Sequence, residues 1–310
     1  MGAVGGKPLA FKKALSYNPV QNGLVFYFDL IGDDCYDGTR FYDAVTGATG
    51  SRGDGGPNSE LLSGSWAANS SSRAGYEYPP PHGGREVRHL NFCEDQNYTQ
   101  REVLFEKIEA LPTASGSRTF VAWVRHMTSH TSWQGIVHYG SSGGRQSSVF
   151  GFSNDGTTLL HHTYAGNSPP GQNTNKFDGA GGGGKPQWFC AGLTMKDGCD
   201  TNGDMKFYVN GKWNSGSISQ ANNNTVVEDR SDNKYLAIGG MCSWYGTGYN
   251  SALDIAMVAI YDRELQVEEM ENIYETQKKR YMFESGSSAE AQLAGVHGWP
   301  DRNVKNYKPI

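Results

Sequence analysis

The stretch that most restricts the fold runs from Tyr235 to Tyr281. Within it, 252–261 is apolar on both alternating faces, with Leu253, Ile255, Met257 and Ala259 on one and Ala256, Val258 and Ile260 on the other. A strand of that kind has to be covered on each side, which places it inside a sheet with a layer packed on either face. A shorter strand, 235–238, precedes it. A turn at Asp262-Arg263 follows, and then a helix, predicted from Val267, Met270, Ile273, Tyr274, Gln277 and Tyr281 falling at three- and four-residue steps. Glu268, Glu269 and Glu271 stand in its first half and Lys278, Lys279 and Arg280 at its end, the polarity a helix dipole favours. No other segment carries a comparable helical pattern. The expected class is therefore all-β, a sandwich closed by one terminal helix.

The remaining strand signals are runs of β-branched and aromatic residues bounded by turn formers. They fall at 23–29, 87–91, 103–105, 119–125, 136–139, 149–152, 157–164, 188–195 and 205–213, with a shorter segment at 37–43. Asn154-Asp155-Gly156 marks a hairpin, because glycine accepts the positive φ such a turn demands. In 205–213, Met205, Phe207 and Val209 alternate with Lys206, Tyr208 and Asn210, which predicts a strand with one wet face.

Several of these blocks resemble the concanavalin A-like, laminin-G-like jelly-roll family. They are Gly23-Leu24-Val25 with Asp29, then Gly38-Thr39 with Phe41 and Asp43, then Trp123 within Phe120–Arg125. Tyr208-Val209-Asn210-Gly211 and Ile260-Tyr261-Asp262-Arg263-Glu264-Leu265 followed by Glu268-Glu269 complete the order over residues 23–281. The resemblance implies a two-sheet antiparallel jelly-roll sandwich with one C-terminal helix and extended terminal arms. Its implied domain is 23–281, with long loops at 46–88 and 165–187, flanked by an N-terminal arm, 1–22, and a C-terminal tail, 282–310.

Composition narrows the partners. Charged residues make up 19% and the net charge is -5, so neither nucleic acid nor another polyanion is an expected partner. No apolar run approaches bilayer length, and the N-terminus lacks the order of a signal peptide, so no membrane association is expected and synthesis is placed in a cytoplasm. The five cysteines are scattered without Cys-x-x-Cys spacing and read as free thiols. Arg52-Gly53-Asp54 reads as a flexible turn.

Catalytic patterns are few. Gly179 to Lys185 has phosphate-loop spacing, but Pro186 replaces the magnesium-holding hydroxyl. Glu102 and Glu106 approach the alternating carboxylates of a glucanase, with Leu104 where the middle acid belongs. His161 and His162 are adjacent on a strand and point to opposite faces, and no helix aligns His126 with His130. Asp197, Asp200, Asn202 and Asp204 gather hard oxygens on one glycine-containing turn, a donor set suited to calcium, which some members of the resembled family bind. Trp244, Tyr245 and Tyr249 share a loop and could stack on a sugar, as the family's lectins do.

These readings imply a non-enzymatic structural protein. The resemblance extends to virion proteins of tailed phages, which implies a capsid decoration or head appendage assembled in the host cytoplasm. It would contact other virion proteins or neighbouring copies, as a homo-oligomer, through Lys7, Phe11, Lys12, Lys13, Trp299 and Tyr307 on its arms. The alternative is a lectin-like adhesin binding a surface glycan, and a glycoside hydrolase is the last choice.

Overall fold

The computed structural model describes residues 14–30, 35, 40–52, 90–91, 103–106, 108–126, 134–140, 147–153, 158–162, 171–173, 188–198, 204–214, 216–218, 234–239 and 253–281. The first strands are β1 (Leu24–Asp29), β2 (Phe41–Tyr42), β3 (Thr49–Arg52), β4 (Leu90–Asn91), β5 (Val103–Glu106), β6 (Arg118–His126), β7 (Gln134–Gly140) and β8 (Ser147–Phe152). They are followed by β9 (Leu159–His162), β10 (Gly171–Asn173), β11 (Trp188–Met195), β12 (Met205–Val209), β13 (Lys212–Asn214), β14 (Gly216–Ile218), β15 (Lys234–Ile238) and β16 (Leu253–Tyr261). Helix α1 (Val267–Tyr281) closes the described chain. One sheet has the order β1-β16-β6-β11-β12-β13, with β4 also on β16; the other has β14-β10-β9-β8-β7-β15-β5-β3-β2. All the described strand pairings are antiparallel, so the class is the expected all-β sandwich with a C-terminal helix.

Aromatic side chains fill the space between the sheets. Phe26 and Phe28 of β1 meet Phe105 of β5 edge to face at 5.0 and 5.7 Å, and Phe120 of β6 stacks on Phe150 of β8 at 5.8 Å. Arg118 is buried in this layer and donates to the Tyr139 hydroxyl and to the carbonyls of Thr113, Ala114 and Gly116. β16 is buried along its length apart from Asp254, whose side chain lies outside the described residues, in accord with a strand covered on both faces.

Its outer cover is α1. Trp123, pointing away from the inter-sheet core, donates its indole N–H to Gln277 Oε1 at 2.8 Å and stacks on Tyr281 with centroids 4.2 Å apart. A Cβ on Gly192 of β11 would lie 2.4 Å from the Met270 methyl, so the helix rests directly on that strand. Tyr208 is also buried on this outer face, which corrects the reading of 205–213 as half wet: alternation of polarity could not reveal a helix arriving sixty residues later. Val267, expected on the core stripe, is 37% exposed, because it stands at the first helical position, before the stripe reaches the sheet.

Both ends of the helix are fixed. Glu269 accepts from the backbone N–H of Gln266 at 2.9 Å and takes both Arg263 guanidinium nitrogens, a cap reinforced by charge. At the other end Arg280 grips Asp29 of β1 with two contacts, 2.5 and 3.2 Å, and its guanidinium lies 3.9 Å from the centre of the Tyr17 ring.

Residues 14–22 differ from the expected outer arm. Residues 14–16 are helical, and Ala14, Asn18 and Val20 are buried. Asn18 and the Tyr261 hydroxyl exchange hydrogen bonds at 2.7 and 3.0 Å, and Gln277 donates to the Tyr17 carbonyl. The sequence hid this because small and polar side chains make the contacts. Lys7, Phe11, Lys12, Lys13, Trp299 and Tyr307 lie outside the described residues.

The opening motif has a physical role. β1 is an edge strand, and Asp43 caps its free side by accepting from the backbone N–H of Tyr27 at 2.8 Å while the Ala44 N–H donates to the Tyr27 carbonyl. The same carboxylate takes the N–H groups of Val45 and Thr46, closing its own turn. The two long loops are also shorter than expected, since β3 lies within 46–88 and β10 within 165–187. Among the described residues no helix is long and apolar enough to cross a membrane.

Two predictions follow from the helix ends. Arg280→Ala strands a buried carboxylate and should lower stability by about 3–5 kcal/mol, read from the urea midpoint. Arg263 and the Gln266 N–H hold the Glu269 carboxyl below its usual 4.5. The stabilisation is therefore complete above about pH 4.5 and is lost as pH falls through the depressed value. Melting curves between pH 3 and 7 should accordingly show a shallower acid decline in Glu269→Gln, from a lower starting Tm.

Candidate functional site

Strand register determines which side chains share an end of the sandwich. β1 ends at Asp29, β6 ends at His126, β11 starts at Trp188 and β16 starts at Leu253, and their pairing brings these termini together, while Phe152 meeting Phe189 across the sandwich sets the Gln134 end of β7, and with it Ile238 at the end of β15, on the same side. The connections 30–40, 92–102, 127–133, 174–187 and 240–252 run between strand termini at this end, and 53–89 leaves from it. A rigid sandwich presenting several connections at one rim is a common setting for a binding site.

The outer face of the first sheet supplies a packed aromatic floor beneath that rim. Trp188 lies against Tyr281 with centroids 6.1 Å apart, and the Arg125 guanidinium covers the Trp188 ring at 5.1 Å. Tyr27 donates to Asp29 at 2.9 Å, within reach of the Arg280 pair. Burial, and then the Asp29 charge, raise the Tyr27 and Tyr281 hydroxyls well above the ordinary phenol range, so both remain neutral donors. Burial opposes the Arg280 charge, but Asp29 beside it outweighs that cost and keeps it protonated. The Tyr281 hydroxyl is buried and makes no hydrogen bond.

The predicted site residues separate in space. The calcium turn joins Met195 to Met205 at the opposite end, where the N–H of Gly198 donates to the Ser115 carbonyl. Seven residues of β11 divide the two ends, about 23 Å at 3.3 Å per residue. Asp197 is exposed, and Asp204 is engaged by Lys196 at 3.6 Å, so an ammonium group already occupies the carboxylate's field. Asp200 and Asn202 lie outside the described residues, and no group of three or more metal-ligating side chains occurs among the described ones. Trp244, Tyr245 and Tyr249 also lie outside them.

Glu106 is exposed at the end of β5, opposite Lys234, while Glu102 lies outside the described residues. His161 is a core residue, its Nε2 2.8 Å from Ser148 Oγ and its ring on Phe120. Two features went unread as functional. His138 is buried on the outer face of the second sheet, in register with Ala237 and Val149. Trp213, which the strand pattern absorbed, is 62% exposed on edge strand β13. Only its excess over the needs of a two-residue hairpin could have signalled it.

No family model matches the chain, and no curated protein matches it. Solved structures do. The binding domain of botulinum neurotoxin DC in complex with rat synaptotagmin II is 13% identical over 82% of this chain and 51% of that one, with a TM-score of 0.50. A Trypanosoma rangeli sialidase mutant displaying trans-sialidase activity is 14% identical over 89% of this chain and 38% of that one, with a TM-score of 0.49. The toxin domain in complex with SialylT gives 12% identity, 84% and 52% coverage, and a TM-score of 0.48. The chain thus spans between about two fifths and about half of the proteins it matches, and at these identities the likeness is one of fold, an all-β sandwich.

These neighbours correct the expectation of a non-enzymatic chain. Trypanosoma rangeli sialidase, an enzyme, recurs among them, including a complex with sialic acid.

Cys190 faces the helix layer opposite Trp123, and burial pushes its thiol up to about 12. Iodoacetamide at pH 8 should leave Cys190 unlabelled in the native chain and modify it after unfolding in guanidinium, as read by peptide mass spectrometry.

Proposed function

We propose that this protein is a carbohydrate-binding β-sandwich that engages a surface glycan through the connections gathered at one rim. The observation that carries the reading is the shared position of the strand termini Asp29, His126, Trp188, Ile238 and Leu253, the last two of which flank the segment of sequence that holds Trp244, Tyr245 and Tyr249. The toxin binding domain, similar in fold over 82% of this chain, supports a recognition role for a sandwich of this shape. Aromatic faces on a rigid scaffold suit the C–H face of a pyranose, and neighbouring polar groups suit its hydroxyls.

A second reading, docking into a larger assembly such as a virion together with other copies, rests on a separate observation. Tyr17 lies under Arg280, one residue before the helix ends, so the N-terminal described segment and the end of the helix are neighbours. Two tethers leaving one corner can hold a body in a fixed orientation. The glycan reading is preferred because it draws on the wider set of strand termini.

The full chain should bind at least one oligosaccharide on a mixed glycan array saturably, and Trp244→Ala or Tyr249→Ala should weaken that binding at least tenfold in calorimetry. EDTA should leave it unchanged, because the acidic turn lies at the far end of β11. A protein that binds no glycan in either assay would sink the reading.

A further inference from the structure

We infer that Trp213 is a second glycan contact, an indole platform on the edge of the helix-covered sheet, separate from the rim; this rests on the carbohydrate-binding reading above. The hairpin that carries it is rigid. Asn210 and Gly211 form a two-residue turn with φ of 53° and 75°, and Val209 pairs with Lys212 across it. The N–H of Asn210 donates to the Cys190 carbonyl at 2.8 Å, and its side-chain oxygen accepts from the Cys190 N–H at 3.0 Å. A Cβ on Gly211 would lie 2.8 Å from Tyr274 Cβ, so the turn is pressed beneath α1. Trp213 is held opposite Tyr208, itself buried, and yet leaves 62% of its own surface in water.

The surroundings favour a sugar over a protein surface. The Lys206–Glu264 pair lies on the same face, and exposed Glu268 and Glu271 stand on the flanking helix, while Lys212, next in the strand, points to the other face. Among the described residues the other exposed large apolar side chain is Val267. A protein-binding patch centres on several clustered apolar anchors. One flat indole on a face that also carries charged side chains offers instead what a pyranose needs: a negative π face for its axial C–H groups and polar partners for its hydroxyls.

The test uses the full chain with cellohexaose, 3′-sialyllactose and the oligosaccharide that gives the strongest array signal, each titrated while the Trp213 indole N–H is followed by NMR. That signal, assigned by its loss in Trp213→Ala, should shift saturably with one of the sugars. Trp213→Ala should weaken binding at least tenfold, Trp213→Phe less, and neither should move the melting temperature. If Trp213→Ala binds as wild type while Trp244→Ala does not, this inference fails and the rim reading stands. If wild type binds none of the three, both fail. If Trp213→Ala instead changes the sedimentation coefficient at equal concentration, the surface is a contact between copies and the inference is overturned.

Discussion

A sheet that is apolar on both faces has to be buried twice, and that requirement governs this molecule. β16, β6 and β11 put Phe120, Ile260 and Leu193 into the space between the sheets and Trp123, Met257 and Cys190 on the opposite side. The second sheet satisfies the first set. Without α1 the other set would face water, and burying a side chain of this size contributes roughly 1.5–3 kcal/mol. The helix is thus a third layer of the core, and its polar contacts serve to position it. Trp123 can be buried beneath it because Gln277 accepts the indole proton, which removes the penalty an unsatisfied N–H would carry.

The Asp29–Arg280 pair acts differently from the apolar contacts. A buried ion pair contributes little net stability, since desolvation offsets most of the attraction, but separating the partners is costly. Its effect here falls on register. β1 and α1 are far apart in sequence, and a slip of one helical residue would carry Arg280 off Asp29 and Gln277 off Trp123 together. Tyr17 covers the exposed side of the guanidinium, so the N-terminal segment settles once the helix is seated. The order of dependence runs from apolar strand to helix, from helix to ion pair, and from ion pair to residues 14–22.

Legibility in the sequence followed side-chain size. Long strands with branched or aromatic residues were readable, 188–195 to the residue, as was the helix with its charge polarity. β3, β10 and β14, built from residues such as Thr49, Gly50, Gln172 and Ser217, carry no apolar alternation from which a strand can be read. Tyr208 was misread since polarity along one strand cannot report what covers it from elsewhere. The acidic turn and the aromatic connection both looked like ligand sites; the register of β11 places the first at the end away from Trp188. Residue types suggested chemistry, and pairing decided whether the chemistry could meet.

That separation also constrains how a site on this scaffold can change. Residues of the core are committed on two faces, and Gly151 illustrates the consequence: a Cβ there would lie 2.0 Å from the Gln134 carbonyl oxygen, within the backbone of the neighbouring strand. Such positions tolerate almost nothing. Trp213 carries no such obligation, because 62% of its surface lies in water. A position of this kind at the sheet edge can vary while the three-layer core stays fixed, and the chain shares its fold with one only 13% identical. Shape shared at that level says how side chains are held and leaves their chemistry to the residues themselves.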